Sequence, residues 1–190
     1  MKKLIGLEKI KTAVFISGTG SNLENLIKFS FKKDSPISIN FVISNNTKAK
    51  GQIFARKNKI KYKFYNYSNK KKVERSILLD LKKNHIELVC LAGFMKILSN
   101  NFIKRFKGKI LNIHPSLLPK YKGLNTHERA IKNKEKYSGC TVHYVNAKLD
   151  SGKIIKQKKV KINKSDTPKL LKKKILAQDL ILAKQFCKRE

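Results

Sequence analysis

Cysteine is scarce in this chain, with Cys90, Cys140 and Cys187 the only three among 190 residues. The number is odd and no pair stands in CxxC spacing, which argues against a disulfide framework or a cysteine-built zinc site. Long apolar runs are missing too. No stretch approaches the roughly 18 residues a membrane-spanning helix needs. The start, MKKLIGLEKIKTAV, carries lysines but no sustained apolar stretch and no small-residue cleavage site. A cytoplasmic protein without a signal peptide is therefore expected. Acidic residues are few: 12 Asp and Glu stand against 45 Lys and Arg, for a formal net charge of +33.

Arginine is itself rare within that basic set, occurring only at positions 56, 75, 105, 129 and 189. Its planar fork is the better partner for phosphates and base edges. The lysines are spread along the whole chain rather than gathered in one arm. Both features favour a generic lysine-rich surface, with nucleic acid bound at most non-specifically, over a dedicated nucleic-acid face. The charge should still steer small anionic substrates inward. Self-repulsion should weaken the fold at low ionic strength.

What is present suits one folded domain over residues 1–190. The length lies in the usual range for a single domain, and 41% hydrophobic residues supply a core. Thr12–Ser17, Ser38–Ser44, Lys61–Tyr65, Glu87–Ala92 and Lys109–His114 read as strands. Helical spacing separates them: Leu23 to Phe29, Lys48 to Asn58, Val73 to Leu81, and a short stretch at Phe102–Phe106. Such alternation predicts a single-domain, Rossmann-like α/β fold, with a mostly parallel twisted sheet flanked by helices. Two further strands, Cys140–Val145 and Lys153–Val160, meet about a turn at Asp150–Gly152 and should be antiparallel near the C-terminal end. Thr167–Pro168 opens a last helix, with proline at its first position.

Three segments fall at strand ends, where open parallel sheets bind ligands. Gly18-Thr-Gly-Ser-Asn22 offers a tight turn and a helix N-terminus, a ready place for a phosphate. It is neither GxGxxG nor a P-loop, and a plain strand-to-helix turn is the alternative. Asn112 and His114 alternate on a strand and share a face, with Pro115 and Pro119 stiffening the exit. Histidine exchanges a proton near neutral pH; asparagine offers an N–H donor to a developing oxyanion. A structural Asn–His pair is the alternative. Asp150 is one of few acids, in a turn where aspartates also cap their own backbone. His127 and His143 read as structural or surface histidines. No cluster has metal-ligand spacing and no GxSxG elbow occurs.

Four motifs taken together, Ile16-Ser-Gly-Thr-Gly-Ser-Asn-Leu23, Leu91-Ala-Gly-Phe-Met-Lys-Ile-Leu98, Asn112-Ile-His-Pro-Ser-Leu-Leu-Pro119 and Leu149-Asp-Ser-Gly-Lys-Ile-Ile155, resemble the glycinamide ribonucleotide formyltransferase family over almost the full length. That resemblance implies the formyltransferase fold. It also implies transfer of a formyl group from 10-formyltetrahydrofolate, as co-substrate and without a metal, to the amine of glycinamide ribonucleotide. By motif, Asn112, His114 and Asp150 correspond to the catalytic trio. Gly20, Ser21 and Asn22 correspond to part of the phosphate and ribose site. Met95, Lys96, Ile97 and Leu98 correspond to the folate-binding segment, which in the family contacts the pterin largely through backbone; Asn112 borders the folate as well. Lys96 stands where arginine is common. Lys70 falls near a family arginine that contacts the folate, and Asp179 where a substrate-holding glutamate is usual.

On this reading Asn112 donates to the oxyanion. Asp150 pairs with His114 and favours its imidazolium form, and His114 moves a proton from the amine to N10. A formyltransferase acting on initiator transfer RNA would suit the charge but normally carries a further C-terminal domain, for which no room is expected after Glu190. A formyltetrahydrofolate hydrolase normally adds an N-terminal regulatory domain. A non-catalytic basic nucleic-acid-binding module is the alternative of another class. Oligomeric state, monomer or dimer, is left open.

Overall fold

A computed structural model describes residues 8–183 of the chain, with side chains described as far as residue 178. Its elements follow the order β1 (Ile10–Ile16), α1 (Ser21–Ser30), β2 (Ile37–Ser44), α2 (Gln52–Lys57), β3 (Lys61–Phe64), α3 (Lys70–Lys83), β4 (Leu88–Leu91), α4 (Asn100–Arg105), β5 (Lys109–His114), α5 (Thr126–Lys132), β6 (Tyr137–Tyr144), β7 (Ile154–Lys161) and α6 (Pro168–Ala183). The strands form one seven-stranded sheet in the order β3-β2-β1-β4-β5-β6-β7. The first five are parallel to one another; β6 joins β5, and β7 joins β6, antiparallel. This is the expected architecture.

The middle of the sheet is buried on both faces because β4 and the Ala13–Ile16 half of β1 are apolar throughout. On β1, Val14 and Ile16 point to one face, where they meet Leu23, Leu26 and Ile27 of α1. Ala13 and Phe15 point to the other, against Ile77 and Leu81 of α3 and Phe102 of α4. That split is the period-2 alternation of a strand, and no residue from Ala13 to Ile16 is exposed at all. A third cluster packs Leu171 and Ile175 of α6 and Ala130 of α5 on Cys140 and Val142 of β6.

One helix is shorter than its sequence spacing predicts. The expected stretch from Lys48 to Asn58 contracts to Gln52–Lys57. Asn46 claims the earlier residues: its side-chain oxygen accepts the Lys48 N–H at 2.9 Å and its carbonyl the Ala49 N–H at 3.2 Å. Local asparagine bonds of this kind compete with helix formation. Gly51, next along, donates its N–H to the Gly18 carbonyl at 3.2 Å. The turn before α2 is thus built against the turn after β1.

The strand order reverses direction between β1 and β4, which are sequence-distant neighbours. In open α/β sheets the ligand crevice lies beyond the carboxyl ends of the strands at such a switch point. The glycine turn leaves β1 there, the Gly93–Ser99 segment leaves β4, and Asn112 and His114 end the adjoining β5.

Candidate active site

Asn112 and His114 lie on the same face of β5, and the antiparallel register sets Asn112 opposite His143 and His114 opposite Thr141 on β6. Directly opposed residues share a face, so β6 adds a second imidazole beside Asn112. The chain then turns after β6 and carries Asp150 back over these groups. Asp150 has φ 44, the left-handed region that aspartate and asparagine tolerate best among residues with a side chain.

The Asp150 carboxylate is the hub of the cluster. One oxygen, Oδ2, accepts the Gly123 backbone N–H at 2.9 Å and faces His114 Nδ1 at 3.4 Å. The other, Oδ1, accepts from Asn112 Nδ2 at 3.2 Å and faces His143 Nε2 at 3.7 Å. The Asp150 side chain is only 7% exposed. Burial alone would raise its pKa. The neighbouring His143 ring, the Gly123 N–H and the His114 ring outweigh that and hold it below the ordinary aspartate value. The carboxylate is therefore ionised at neutral pH.

His114 is 5% exposed, and its Nε2 lies 2.8 Å from the Tyr121 carbonyl. A carbonyl only accepts, so Nε2 carries hydrogen and the neutral ring leaves Nδ1 bare toward Asp150. Burial holds the His114 pKa below the usual imidazole value, against the upward pull of the Tyr121 carbonyl and the Asp150 carboxylate; His143 and Arg129 add to the lowering. Asp150 thus pulls towards the imidazolium, as expected, but desolvation outweighs that pull in the resting protein, and the neutral ring is favoured.

The loop receiving His114 is fixed from outside. Thr141 donates its hydroxyl to the Ser116 carbonyl at 2.6 Å and accepts the Leu118 N–H at 3.1 Å. Gln157 of β7 donates to the Leu118 carbonyl at 2.8 Å. Tyr121 donates its hydroxyl to Glu135 and lies under the Arg129 guanidinium. The backbone oxygen that orients the imidazole is thereby held in place.

His143 was expected to be structural or at the surface. It is 2% exposed and inside the cluster. Its Nδ1 lies 2.8 Å from the Tyr144 carbonyl, so Nε2 is the acceptor for Asn112 Nδ2 at 3.1 Å. Both hydrogens of the Asn112 amide are then engaged, one by His143 and one by Asp150. Rotating the amide by half a turn would set its oxygen against the Asp150 carboxylate, so this orientation is determined. An Asn112 hydrogen reaches an oxyanion only by leaving one of those acceptors, and the 3.2 Å bond to Asp150 is the longer.

The glycine turn has the expected form. Gly20 has φ 77 and is the N-cap of α1, with no side chain capping the first turn. Ser21 and Asn22 are half-buried, and the Asn22 side-chain oxygen is buried without a hydrogen-bond partner among the described residues. A β-carbon at Gly20 would stand 2.4 Å from Gly51 Cα, so the turn admits only glycine there. In the other expected segment, Leu91 of β4 is the register partner of Asn112. Four residues on, Met95 and Ile97 are 60% and 61% exposed while Leu98 is buried. Lys96 and Lys70 are exposed, Lys70 as the first residue of α3. Asp179 lies on α6, but its side chain falls outside the described residues.

His127, at the start of α5, is half-buried, with Nδ1 unpartnered among the described residues. Burial lowers its pKa, opposed by Glu128 and reinforced by Lys172 and His114. Among the described residues no group of three His, Cys, Asp or Glu side chains could hold a metal ion, and no helix is long and apolar enough to cross a membrane. Two cavities lie elsewhere. One of about 610 Å³ borders Leu117, Tyr121 and Tyr137, and one of about 400 Å³ borders Phe31 and Ile60.

The formyl transferase family model matches residues 10–184. The chain is 45% identical over 160 residues to a phosphoribosylglycinamide formyltransferase of Haemophilus influenzae, covering 83% of this chain and 76% of that protein. It is 42% identical over 171 residues to the human trifunctional purine biosynthetic protein adenosine-3, covering 88% of this chain but only 17% of the larger protein. A crystal structure of phosphoribosylglycinamide formyltransferase from Anaplasma phagocytophilum superposes with a TM-score of 0.85 at 42% identity, over 92% of this chain and 82% of that one.

Proposed function

The chain belongs to the formyl transferase family, and from that premise we infer that it transfers the formyl group of 10-formyltetrahydrofolate to the amine of glycinamide ribonucleotide, giving the N-formyl product and tetrahydrofolate in purine synthesis. The observation that carries the inference is the convergence of Asn112, His114 and Asp150 on one carboxylate, from elements up to 38 residues apart.

In the net reaction a bond forms between the amine nitrogen and the formyl carbon, the bond from that carbon to N10 breaks, and a proton passes from the amine to N10. The side chains match those needs. Neutral His114 has Nδ1 free to take a proton, and a proton placed there lies against Asp150 Oδ2 at 3.4 Å. The imidazolium that burial disfavours at rest is thus accommodated while the proton is in transit. Asn112, held by His143, presents an amide hydrogen that turns from Asp150 to the oxyanion as negative charge develops. One oxyanion donor is worth about 3–4 kcal/mol in well-studied enzymes. Holding amine and formyl carbon together removes a further entropic barrier.

The binding surfaces fit the two substrates. The uncapped first turn of α1, with Gly20, Ser21 and Asn22, suits the phosphate and ribose of the acceptor. Exposed Met95 and Ile97 offer apolar surface to a flat ring beside β5, and Lys70 and Lys96 offer charge to the donor's carboxylates. Nucleic acid is bound at most non-specifically through the lysine surface, and the protein works in the cytoplasm.

The test is direct. The purified chain, given both substrates, forms tetrahydrofolate and formylated acceptor, and His114→Ala and Asp150→Asn lose most of that turnover. Turnover near that of the unaltered chain in both variants removes these residues from their roles. Absence of turnover in the unaltered chain, with RNA binding that survives physiological salt, favours the nucleic-acid module instead.

A further inference from the structure

The geometry points to Ser17 and Glu74 as positioning residues for the formyl donor: two buried side chains pin the two ends of the exposed Met95–Ile97 stretch so that its backbone is ordered before the donor arrives. The inference rests on the donor site assigned above and adds the residues that shape it.

Ser17 follows the last residue of β1 and is 8% exposed. Its hydroxyl accepts the Met95 N–H at 2.8 Å and donates to the side-chain oxygen of Asn45 at 2.5 Å. Its own N–H donates to the Gly93 carbonyl at 3.2 Å. Its carbonyl accepts from the Asn46 side chain at 2.9 Å. One residue at the switch point therefore ties the exits of β1, β2 and β4 together. The tie to Met95 runs through the hydroxyl alone.

Glu74 holds the other end. It lies on α3, is 4% exposed, and has no part in the proton or oxyanion chemistry. One carboxylate oxygen accepts the Ser99 N–H at 2.9 Å and the other accepts the Ser99 hydroxyl. The Ser99 oxygen in turn accepts the Phe102 N–H at 3.1 Å and caps α4. The cap itself needs only the serine. The buried carboxylate adds a fixed direction for Ser99, and a buried carboxylate is costly unless its bonds matter to the fold or the site.

Between the pins, Phe94 stands edge-on to Phe15 and Tyr67, at centroid distances of 5.3 and 5.7 Å, and Leu98 is buried. Only Met95, Lys96 and Ile97 are left outward. A segment anchored at both ends with its apolar side chains exposed is poor packing for the free protein and good preorganisation for a ligand, because ordering it costs nothing further on binding.

The test separates donor from acceptor. Steady-state constants are measured for Ser17→Ala, Ser17→Thr, Glu74→Gln and Glu74→Leu, with both substrates varied. Ser17→Ala is expected to raise KM for 10-formyltetrahydrofolate about tenfold, the effect of one lost hydrogen bond. The expected changes in kcat and in KM for the acceptor stay within about twofold. Ser17→Thr, which keeps the hydroxyl, restores the donor KM. Glu74→Leu shifts the same constant in the same direction, and Glu74→Gln, which keeps one acceptor, does so by less; if the leucine variant does not fold, the glutamine variant decides. An equal rise in both KM values, a fall confined to kcat, or a lower Tm with unchanged kinetics overturns the proposal. If the unaltered chain transfers no formyl group, the reaction assignment fails by itself. Pinning is then read by calorimetric binding of tetrahydrofolate, which Ser17→Ala must weaken.

Discussion

Replacing Asp150 by asparagine tests the hub of the site with little change of shape. Asparagine tolerates the left-handed backbone at φ 44 as aspartate does, so the turn should survive. The amide has one accepting oxygen and one donating nitrogen. If the oxygen keeps Gly123 N–H, at 2.9 Å, the nitrogen meets Asn112 Nδ2, at 3.2 Å; the reverse orientation sets it against the Gly123 N–H. Either way two donors face each other. A lost bond to a charged group costs about 1.5–3 kcal/mol, so a drop in stability of that order is expected by urea unfolding. Catalysis should suffer more. His114 Nδ1 stands 3.4 Å from the carboxylate, with both side chains under a tenth exposed. At an effective dielectric of 20, unit charges at that separation attract by about 4–5 kcal/mol. Losing that attraction for the imidazolium slows turnover roughly a thousandfold. The assay is the initial rate of formyl transfer, alongside an NMR titration of His114, whose pKa should fall further below the usual imidazole value. A folded variant that keeps more than about a tenth of the activity, or a His114 pKa that rises, refutes the reasoning.

Other perturbations follow from the same geometry. His143→Leu leaves an Asn112 hydrogen without its acceptor and lets the amide turn, so kcat should fall about 10- to 100-fold, consistent with about 1–3 kcal/mol for an unmet buried donor; unchanged kcat would show that Asn112 orients itself. Gly20→Ala forces a β-carbon to within 2.4 Å of Gly51 Cα at φ 77, so KM for the phosphorylated acceptor should rise more than KM for the donor, with a lower Tm; equal effects would detach the turn from the acceptor. Acid should destabilise the fold early. His114 and His127 both have pKa values depressed by burial, so their contribution is complete above the unfolded value of about 6.5 and is lost as pH falls through their folded values. The urea midpoint should drop between pH 7.5 and pH 5.5, and drop less in His127→Gln; an unchanged drop would mean His127 binds its proton equally well in both states.

The sheet was legible because its signals are local. The inner parallel strands are short runs rich in apolar residues, Lys61–Phe64 at the edge alternates, and most helices carry their own spacing. The class therefore follows from the chain alone, whereas the extent of the short helix Thr126–Lys132 was not read. The Asn112–His114 pair was legible for the same reason, since alternation on one strand fixes a shared face. His143 was not. Its role depends on β6 pairing antiparallel with β5 in the register that sets it opposite Asn112, and nothing in Cys140–Val145 names that partner. The signal that could have found it was a histidine at an inward position of the strand next to the site. Ser17 escaped for a related reason: its hydroxyl works on Met95, 78 residues later. The resting state of His114 was not legible, because a nearby carboxylate is visible as a motif, whereas the depth of burial that opposes it is a property of the packed loop at Ser116–Tyr121.

The arrangement also explains why histidines, on a chain so rich in lysine, surround the one acid at the site. A lysine beside Asp150 would form a permanent pair and leave the carboxylate nothing to do when a proton moves. A His114 ring neutral at rest leaves the Asp150 carboxylate without a positive partner at Nδ1, stabilised instead by the Gly123 N–H and the Asn112 amide. A proton arriving at His114 then turns a lone charge into a pair. In a site of low dielectric, adding a charge next to its opposite is far less costly than creating it alone. The depressed His114 pKa and the ionised Asp150 are thus two halves of one device: the first keeps the base able to accept, and the second makes acceptance reversible within a turnover.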